Sequence, residues 1–246
     1  MPSEINNSCL LGNKDKNNSK IILLGDSHGD HLVQSFHDEL IKKNLTAYNF
    51  TFKNCSPANF FSNKSNFKEN ECFEKIKNFI KNNKNITTVV VSFRWVTTLP
   101  GVGYGNFAEI YSKTLDEKIL QDRGKIVAKK LEDLVGTNIK LVIVYPVPEP
   151  GEDVPNYTVK RRILGEKEFT LNFPYKLFVE RNKYAYSALD LVSKPKEIIR
   201  VYPSSIICEE KSNGNCKTIN NGKSLYYDDD HLSNYAASLF ISQIFK

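Results

Sequence analysis

Long apolar runs are missing from this chain. None approaches the ~20 residues that a bilayer span needs. The first twenty residues, MPSEINNSCLLGNKDKNNSK, lack the apolar segment of a secretory signal. If the protein works outside the cytosol, its export signal or membrane anchor is expected on chain beyond the segment given. Metal ligands are sparse: there is no Cys-x-x-Cys and no His–Cys cluster, and only four histidines in 246 residues. Neither a metal nor a cofactor is expected. A basic stripe with interleaved aromatics is also missing. The net charge of +6 comes mostly from scattered lysines, with VKRRIL (Val159 to Leu164) as the densest cluster. That pattern argues for a solvated surface and against a nucleic-acid partner. No internal repeat is visible, and the Asn/Lys-rich stretches read as surface loops.

What is present alternates. KIILLG (Lys20 to Gly25), TAYNFTF (Thr46 to Phe52), ITTVVVSF (Ile86 to Phe93), IKLVIVYPVP (Ile139 to Pro148) and EIIRVYP (Glu197 to Pro203) read as strands. Between them run helical periods: Leu32 to Ile41, Phe73 to Ile80, Leu115 to Val135, Tyr175 to Ser193, and a last helix after Ser233 as N-cap. Five such alternations predict a three-layer α/β/α domain, of flavodoxin-like type, with a mostly parallel five-stranded sheet. It is expected over residues 20–246, with residues 1–19 a polar N-terminal segment or linker. Ligands of such sheets bind beyond the strand carboxyl ends. The loops after strands one, three and five hold GDSHGD, RWVTTLPGVGYGNFAE and YYDDDHLS.

Five cysteines occur: Cys9, Cys55, Cys72, Cys208 and Cys216. Cys55 with Cys72 and Cys208 with Cys216 flank loop-like stretches. The placement suits two loop-stapling disulfides in an oxidising compartment, and it also suits free thiols in a reducing one.

Two segments can carry chemistry. Ser27 directly follows a buried strand and precedes a helix, where free backbone N–H groups face a developing oxyanion. Gly25-Asp26-Ser27 is also an ordinary turn. A serine nucleophile needs a base and the base needs an orienting acceptor. Asp228 and His231 stand three residues apart at a loop-to-helix junction and supply both, with Asp229 and Asp230 as neighbours able to substitute. An acidic N-cap run is the plainer reading. His28, His31 and His37 fall in the first helical segment, with His31 and His37 expected to face solvent. A parallel sheet brings Ser27 and His231 to one edge although 200 residues separate them.

These segments resemble the SGNH (GDSL-like) hydrolases. LLGDSHGDHL is similar to their first block and YYDDDHLS to their last, with Asp228 and His231 on its Asp-x-x-His. More narrowly, the chain is similar to the SGNH domains fused behind a membrane acyltransferase-3 domain in bacterial surface-polysaccharide O-acetyltransferases. NCSPANF with a later NEC, VVVSFRW, VYPVPEPGEDVP, KLFVERN and IICEE…GNC match in order.

The resemblance implies catalysis by Ser27, Asp228 and His231 through a serine acyl-enzyme, and disulfides Cys55–Cys72 and Cys208–Cys216. It implies an extracytoplasmic domain at the periplasmic face of the inner membrane, part of a larger membrane protein. The acetyl group would come from an integral membrane acyltransferase domain outside this chain, and the acceptor would be a surface polysaccharide such as O-antigen. A stand-alone carbohydrate esterase and a weakly catalytic glycan-binding module are the rival readings. The sequence departs from the hydrolases where their Gly-x-Asn-Asp supplies an oxyanion asparagine: that place reads Ser92-Phe93-Arg94-Trp95. The Ser27 N–H is the donor that remains. Arg94 is either a replacement donor or an ion-pair partner of acids at the sheet edge. Trp95 either stacks on a sugar ring or fills the core. Gly101 to Glu109 either contacts the acceptor or simply connects.

Overall fold

The computed structural model describes residues 9–13, 20–52, 55–57, 71–101, 103, 116–166, 171–211 and 213–246. Strands β1 (Cys9–Gly12), β2 (Ile21–Gly25), β3 (Thr46–Thr51), β4 (Thr88–Ser92), β5 (Lys140–Val144) and β7 (Ile198–Val201) form one sheet in the order β1-β3-β2-β4-β5-β7. The two-residue strands β6 (Phe173–Pro174) and β8 (Asn215–Cys216) pair apart from it. From β3 to β7 all neighbours are parallel. Strand β2 is buried at all five positions, as its unbroken apolar run requires of a strand covered on both faces.

The pleat divides the core. Ile22, Leu24, Val89, Val91, Leu141 and Ile143 face helices α3 (Glu71–Asn82), α4 (Glu117–Val135) and α6 (Tyr175–Asp190). Ile21, Leu23, Val90, Val142 and Val144 face α2 (Val33–Lys42), α8 (Asn234–Ser238) and the closing 3-10 turn Ile241–Phe245. Ser233 caps α8, its hydroxyl accepting from Ala236 N–H at 3.2 Å.

The sheet has six strands where five were expected. The sixth is β1, inside the segment read as a polar linker, and it adds an antiparallel edge to β3 with Leu10 opposite Tyr48. His37, expected to face solvent, is half-buried and accepts the Gly12 N–H at 2.9 Å. Four residues in a polar context are too short to show a strand period, so the sequence carried no signal for β1. Also unanticipated is α5 (Val154–Ile163), capped by Asp153, which carries the basic cluster outward with Ile163 and Leu164 exposed.

Both cysteine pairs are disulfides, Cys55–Cys72 and Cys208–Cys216, and Cys9 is exposed and unpaired. The first bridge closes 17 residues of sequence. Its removal by Cys55→Ser/Cys72→Ser should cost about 3 kcal/mol through the freer unfolded chain. Thermal unfolding of the double variant should show a clear drop in midpoint; an unchanged midpoint would mean the staple contributes nothing. Among the described residues, no helix is long and apolar enough to cross a membrane.

Candidate active site

The five parallel strands run β3-β2-β4-β5-β7, so connections leave β2 for both sides. The crevice of such a sheet opens beyond β2, between the ends of β3 and β4. Helix α1 (Ser27–Asp30) starts there. A side chain at Gly25 would put its Cβ 2.2 Å from the Ser92 carbonyl oxygen and 2.7 Å from Gly29 Cα, so the strand can only turn here on glycine. Asp26 caps α1: its carboxylate accepts the His28 N–H at 2.9 Å and the Arg94 N–H at 3.0 and 3.1 Å. The Ser92 hydroxyl donates to the His28 carbonyl at 2.7 Å and the Thr51 hydroxyl to Asp30 at 3.1 Å. The turn bearing Ser27 is therefore tied to both neighbouring strands, while Ser27 itself is exposed. Helix α1 is one turn long, so the local attraction for an anion comes from its free N–H groups rather than from a macrodipole.

The C-terminal loop closes over this turn. Asp228 Oδ1 accepts the N–H groups of Asp230 and His231 at 2.9 and 2.7 Å, folding the loop back on itself. Its Oδ2 then lies 2.7 Å from His231 Nδ1. Asp230 Oδ1 is 3.0 Å from the same nitrogen. The other ring nitrogen of His231, Nε2, is buried with no hydrogen-bond partner among the described residues. The His231 ring is 5.1 Å from that of His28 and 5.9 Å from that of His31, which brings the loop onto the segment that starts with Ser27. Tyr227, 58% exposed, stacks on His231 with ring centroids 5.4 Å apart.

His31 is a second correction to the expectation of solvent exposure: it is buried. Its Nδ1 accepts the Leu232 N–H at 3.3 Å, which assigns the proton of the neutral ring to Nε2. Burial, and then the charges of His28 and His231, hold its pKa well below the ordinary histidine value.

Arg94 falls on the ion-pair side of its two readings. Its Nε and Nη2 fork Glu149 at 3.0 and 3.1 Å, and its Nη1 meets Asp230 Oδ2 at 2.8 Å. Its guanidinium is thus held between two acids at the sheet edge. Trp95 is likewise no sugar platform: it is 2% exposed, its indole N–H donates to the Val144 carbonyl at 3.0 Å, and its ring meets Phe93 edge-on. Of Gly101 to Glu109, residues 102 and 104–109 lie outside the described residues. At Gly101 a Cβ would lie 2.2 Å from the Arg181 carbonyl oxygen, so this end of the stretch is pressed against the backbone of α6.

Beyond the residues singled out in the sequence, the structure adds a buried chain of charges. Glu149, from the loop after β5, accepts from Arg94 and from Arg181 of α6, whose Nε and Nη2 lie 2.9 and 2.6 Å from Oε2. Asp230 Oδ2 also meets His28 Nε2 at 3.2 Å. Burial would raise the Glu149 pKa, but the charges of Arg181 and Arg94 outweigh it and lower it. Burial would raise Asp230 as well; hydrogen bonds from His231 and His28 and the charges of His28 and Arg94 lower it instead. For His231, burial pulls down and the carboxylates of Asp230 and Asp228 pull up more strongly, to about 9. His28, Asp230 and His231 place ligand-type atoms within 4.8 Å of one another. Arg94 Nη1 occupies one Asp230 oxygen at 2.8 Å, and the rings already donate to these acids, so the cluster is an ion-pair network and a poor cation cage.

A serine-bearing switch-point loop beside a carboxylate-held histidine, on a mostly parallel α/β sheet, is the architecture of the SGNH class. Residues 2–246 match the family model described as the SGNH domain (fused to AT3 domains), and the chain belongs to that family. Among solved structures it is similar to the periplasmic domain of a lipopolysaccharide acetyltransferase from Salmonella ser. Paratyphi A, with TM-score 0.59 and 18% identity over 94% of this chain and 84% of that one. It is also similar to Est24, a carbohydrate acetylesterase from Sinorhizobium meliloti, with TM-score 0.42 and 10% identity over 92% and 94% of the two chains. Curated proteins yield no match to this chain.

Proposed function

We propose that this chain is the extracytoplasmic SGNH domain of a bacterial O-acetyltransferase, a single catalytic domain that includes β1 at its sheet edge and lies at the periplasmic face of the inner membrane. It transfers an acetyl group through Ser27 to a sugar hydroxyl of a surface polysaccharide such as O-antigen. The observation that carries the reading is the state of His231: Nδ1 is held by carboxylate while Nε2 is left without a partner, in a ring cluster with the two histidines that follow Ser27. Membership in a family of domains fused to AT3 domains supports a membrane-borne source of the acetyl group.

In the first half-reaction His231 Nε2 takes the Ser27 hydroxyl proton as Ser27 Oγ attacks the acetyl carbonyl. The tetrahedral oxyanion accepts the Ser27 N–H. Collapse expels the donor's leaving group, which takes the proton back from His231, and leaves acetyl-Ser27. In the second half His231 removes the proton of the acceptor hydroxyl, the sugar oxygen attacks the ester, and Ser27 Oγ regains a proton from His231 as it leaves. Asp228 fixes the ring so that Nδ1 carries the proton and Nε2 stays free as base. Tyr227, exposed beside His231, offers the acceptor sugar an aromatic face that Trp95 does not.

The test is competition between water and sugar. The domain, charged from p-nitrophenyl acetate, should pass acetyl to added O-antigen polysaccharide, with O-acetyl sugars detected by mass spectrometry. Tyr227→Ala should raise the acceptor KM severalfold and leave the rate of p-nitrophenol release unchanged. Release of acetate alone, at every acceptor concentration, would favour an esterase.

A further inference from the structure

We propose that Asp230 is a second positioning carboxylate for His231, locked by the buried Arg94–Glu149–Arg181 chain, so that Nδ1 is held by two acids at once. The inference rests on the reading of Ser27 as nucleophile and His231 as base.

The two acids are not equivalent. Asp228 commits Oδ1 to the backbone of its own loop and lies in a side chain 29% exposed. Asp230 is 4% exposed by side chain, so its field on the imidazole is less screened by water. Its two oxygens divide the work: Oδ2 takes Arg94 and His28, and Oδ1 is left for His231 at 3.0 Å. Arg94 is in turn forked by Glu149, and Glu149 is gripped by the fully buried Arg181. The carboxylate therefore cannot swing away from the ring without breaking a buried ion pair. The Nδ1 proton sits between two acceptors, at 2.7 and 3.0 Å. The titratable groups facing His231 are Asp228, Asp230 and Tyr227 from its own loop and His28 and His31 from the segment after β2; Arg94 acts through Asp230. Burial opposes protonation of the base, while the two carboxylates favour it. With the carboxylates prevailing, His231 holds its proton until about pH 9. Activity, which needs the neutral ring, should rise through that range.

The experiment is the pH dependence of kcat/KM for p-nitrophenyl acetate in wild type, Asp228→Asn, Asp230→Asn and the double variant. In parallel, His231 is titrated by NMR, which follows the ring whether or not the variant turns over. Losing a sole triad aspartate costs about 10⁴-fold. Asp228→Asn should lose far less than that, because Asp230 still orients the ring. Asp230→Asn should move the rising limb and the His231 titration down toward the ordinary value of about 6.5. The double variant should show the full loss. An unmoved titration in Asp230→Asn would overturn the inference, as would a complete loss in Asp228→Asn. Should Asp230→Asn fail to fold, Asp228→Asn decides: a His231 pKa still above the ordinary value supports a second acid, and an ordinary value refutes it. If Ser27→Ala is inactive while these titrations stay unmoved, only this inference fails; if Ser27→Ala keeps full activity, the reading beneath it fails.

Discussion

Ser27→Ala is expected to lower ester turnover by about four to six orders of magnitude, leaving the residual rate that binding and the remaining donors can supply. The loss should fall on kcat, because the hydroxyl makes the new bond and contributes little to holding the substrate. Folding should be untouched. Ser27 is exposed, and its hydroxyl makes no hydrogen bond within the described residues. The turn is held instead by Asp26, Ser92 and Thr51. Circular dichroism and the thermal midpoint should therefore match wild type. A variant that turns over p-nitrophenyl acetate at the wild-type rate would remove Ser27 from the mechanism and leave the sheet and its switch point intact.

The second large effect is on stability. Glu149→Ala removes the carboxylate that the fully buried Arg181 and the Arg94 fork both bond. Breaking a buried ion pair from one side costs about 3–5 kcal/mol, because the remaining charge stays desolvated. For a chain of this size that is a fall of roughly 10 °C in Tm. Activity should fall too, since Arg94 links Glu149 to Asp230 beside the base. The pH dependence has a definite sign. The Glu149 pKa is lowered in the fold, so its contribution is present in full above the ordinary glutamate value. That contribution is lost as pH falls through the lower folded value. The gap in Tm between wild type and Glu149→Gln should therefore be widest near neutrality and narrow on acidification. A midpoint for Glu149→Ala equal to wild type at pH 7 would mean that the arginines find solvent, and that the chain of charges has no structural weight.

The parts legible in the sequence are those set by neighbours along the chain. The unbroken run Ile21–Leu24 could only be a doubly covered strand, and Gly25 then Ser27 marked its exit. Asp228 and His231 are three residues apart, so one turn suffices to join them, and the structure gives 2.7 Å. The charge network was opaque for the opposite reason. Arg94 and Glu149 are 55 residues apart, Glu149 and Arg181 are 32 apart, and His28 and Asp230 are 202 apart. No local period links them, and only the strand order decides which loops meet. Glu149 stands between two prolines in VYPVPEPGEDVP, in the loop after the fourth of the five alternating strands, where no local pattern marks it as facing the loops after strands one, three and five. Trp95 was undecidable for a related reason: whether an indole stays inside depends on an acceptor for its N–H, and that acceptor, the Val144 carbonyl, belongs to another strand.

The proposed nucleophile Ser27, served by the carboxylate-held His231, is tested by covalent capture. The chain is treated with a serine-directed phosphonate, digested without reduction, and mapped by mass spectrometry. A single adduct on Ser27 is expected, absent after Ser27→Ala and weakened when His231→Ala removes the base. An adduct on any other residue, or none on Ser27 in correctly folded protein, would contradict Ser27 as nucleophile.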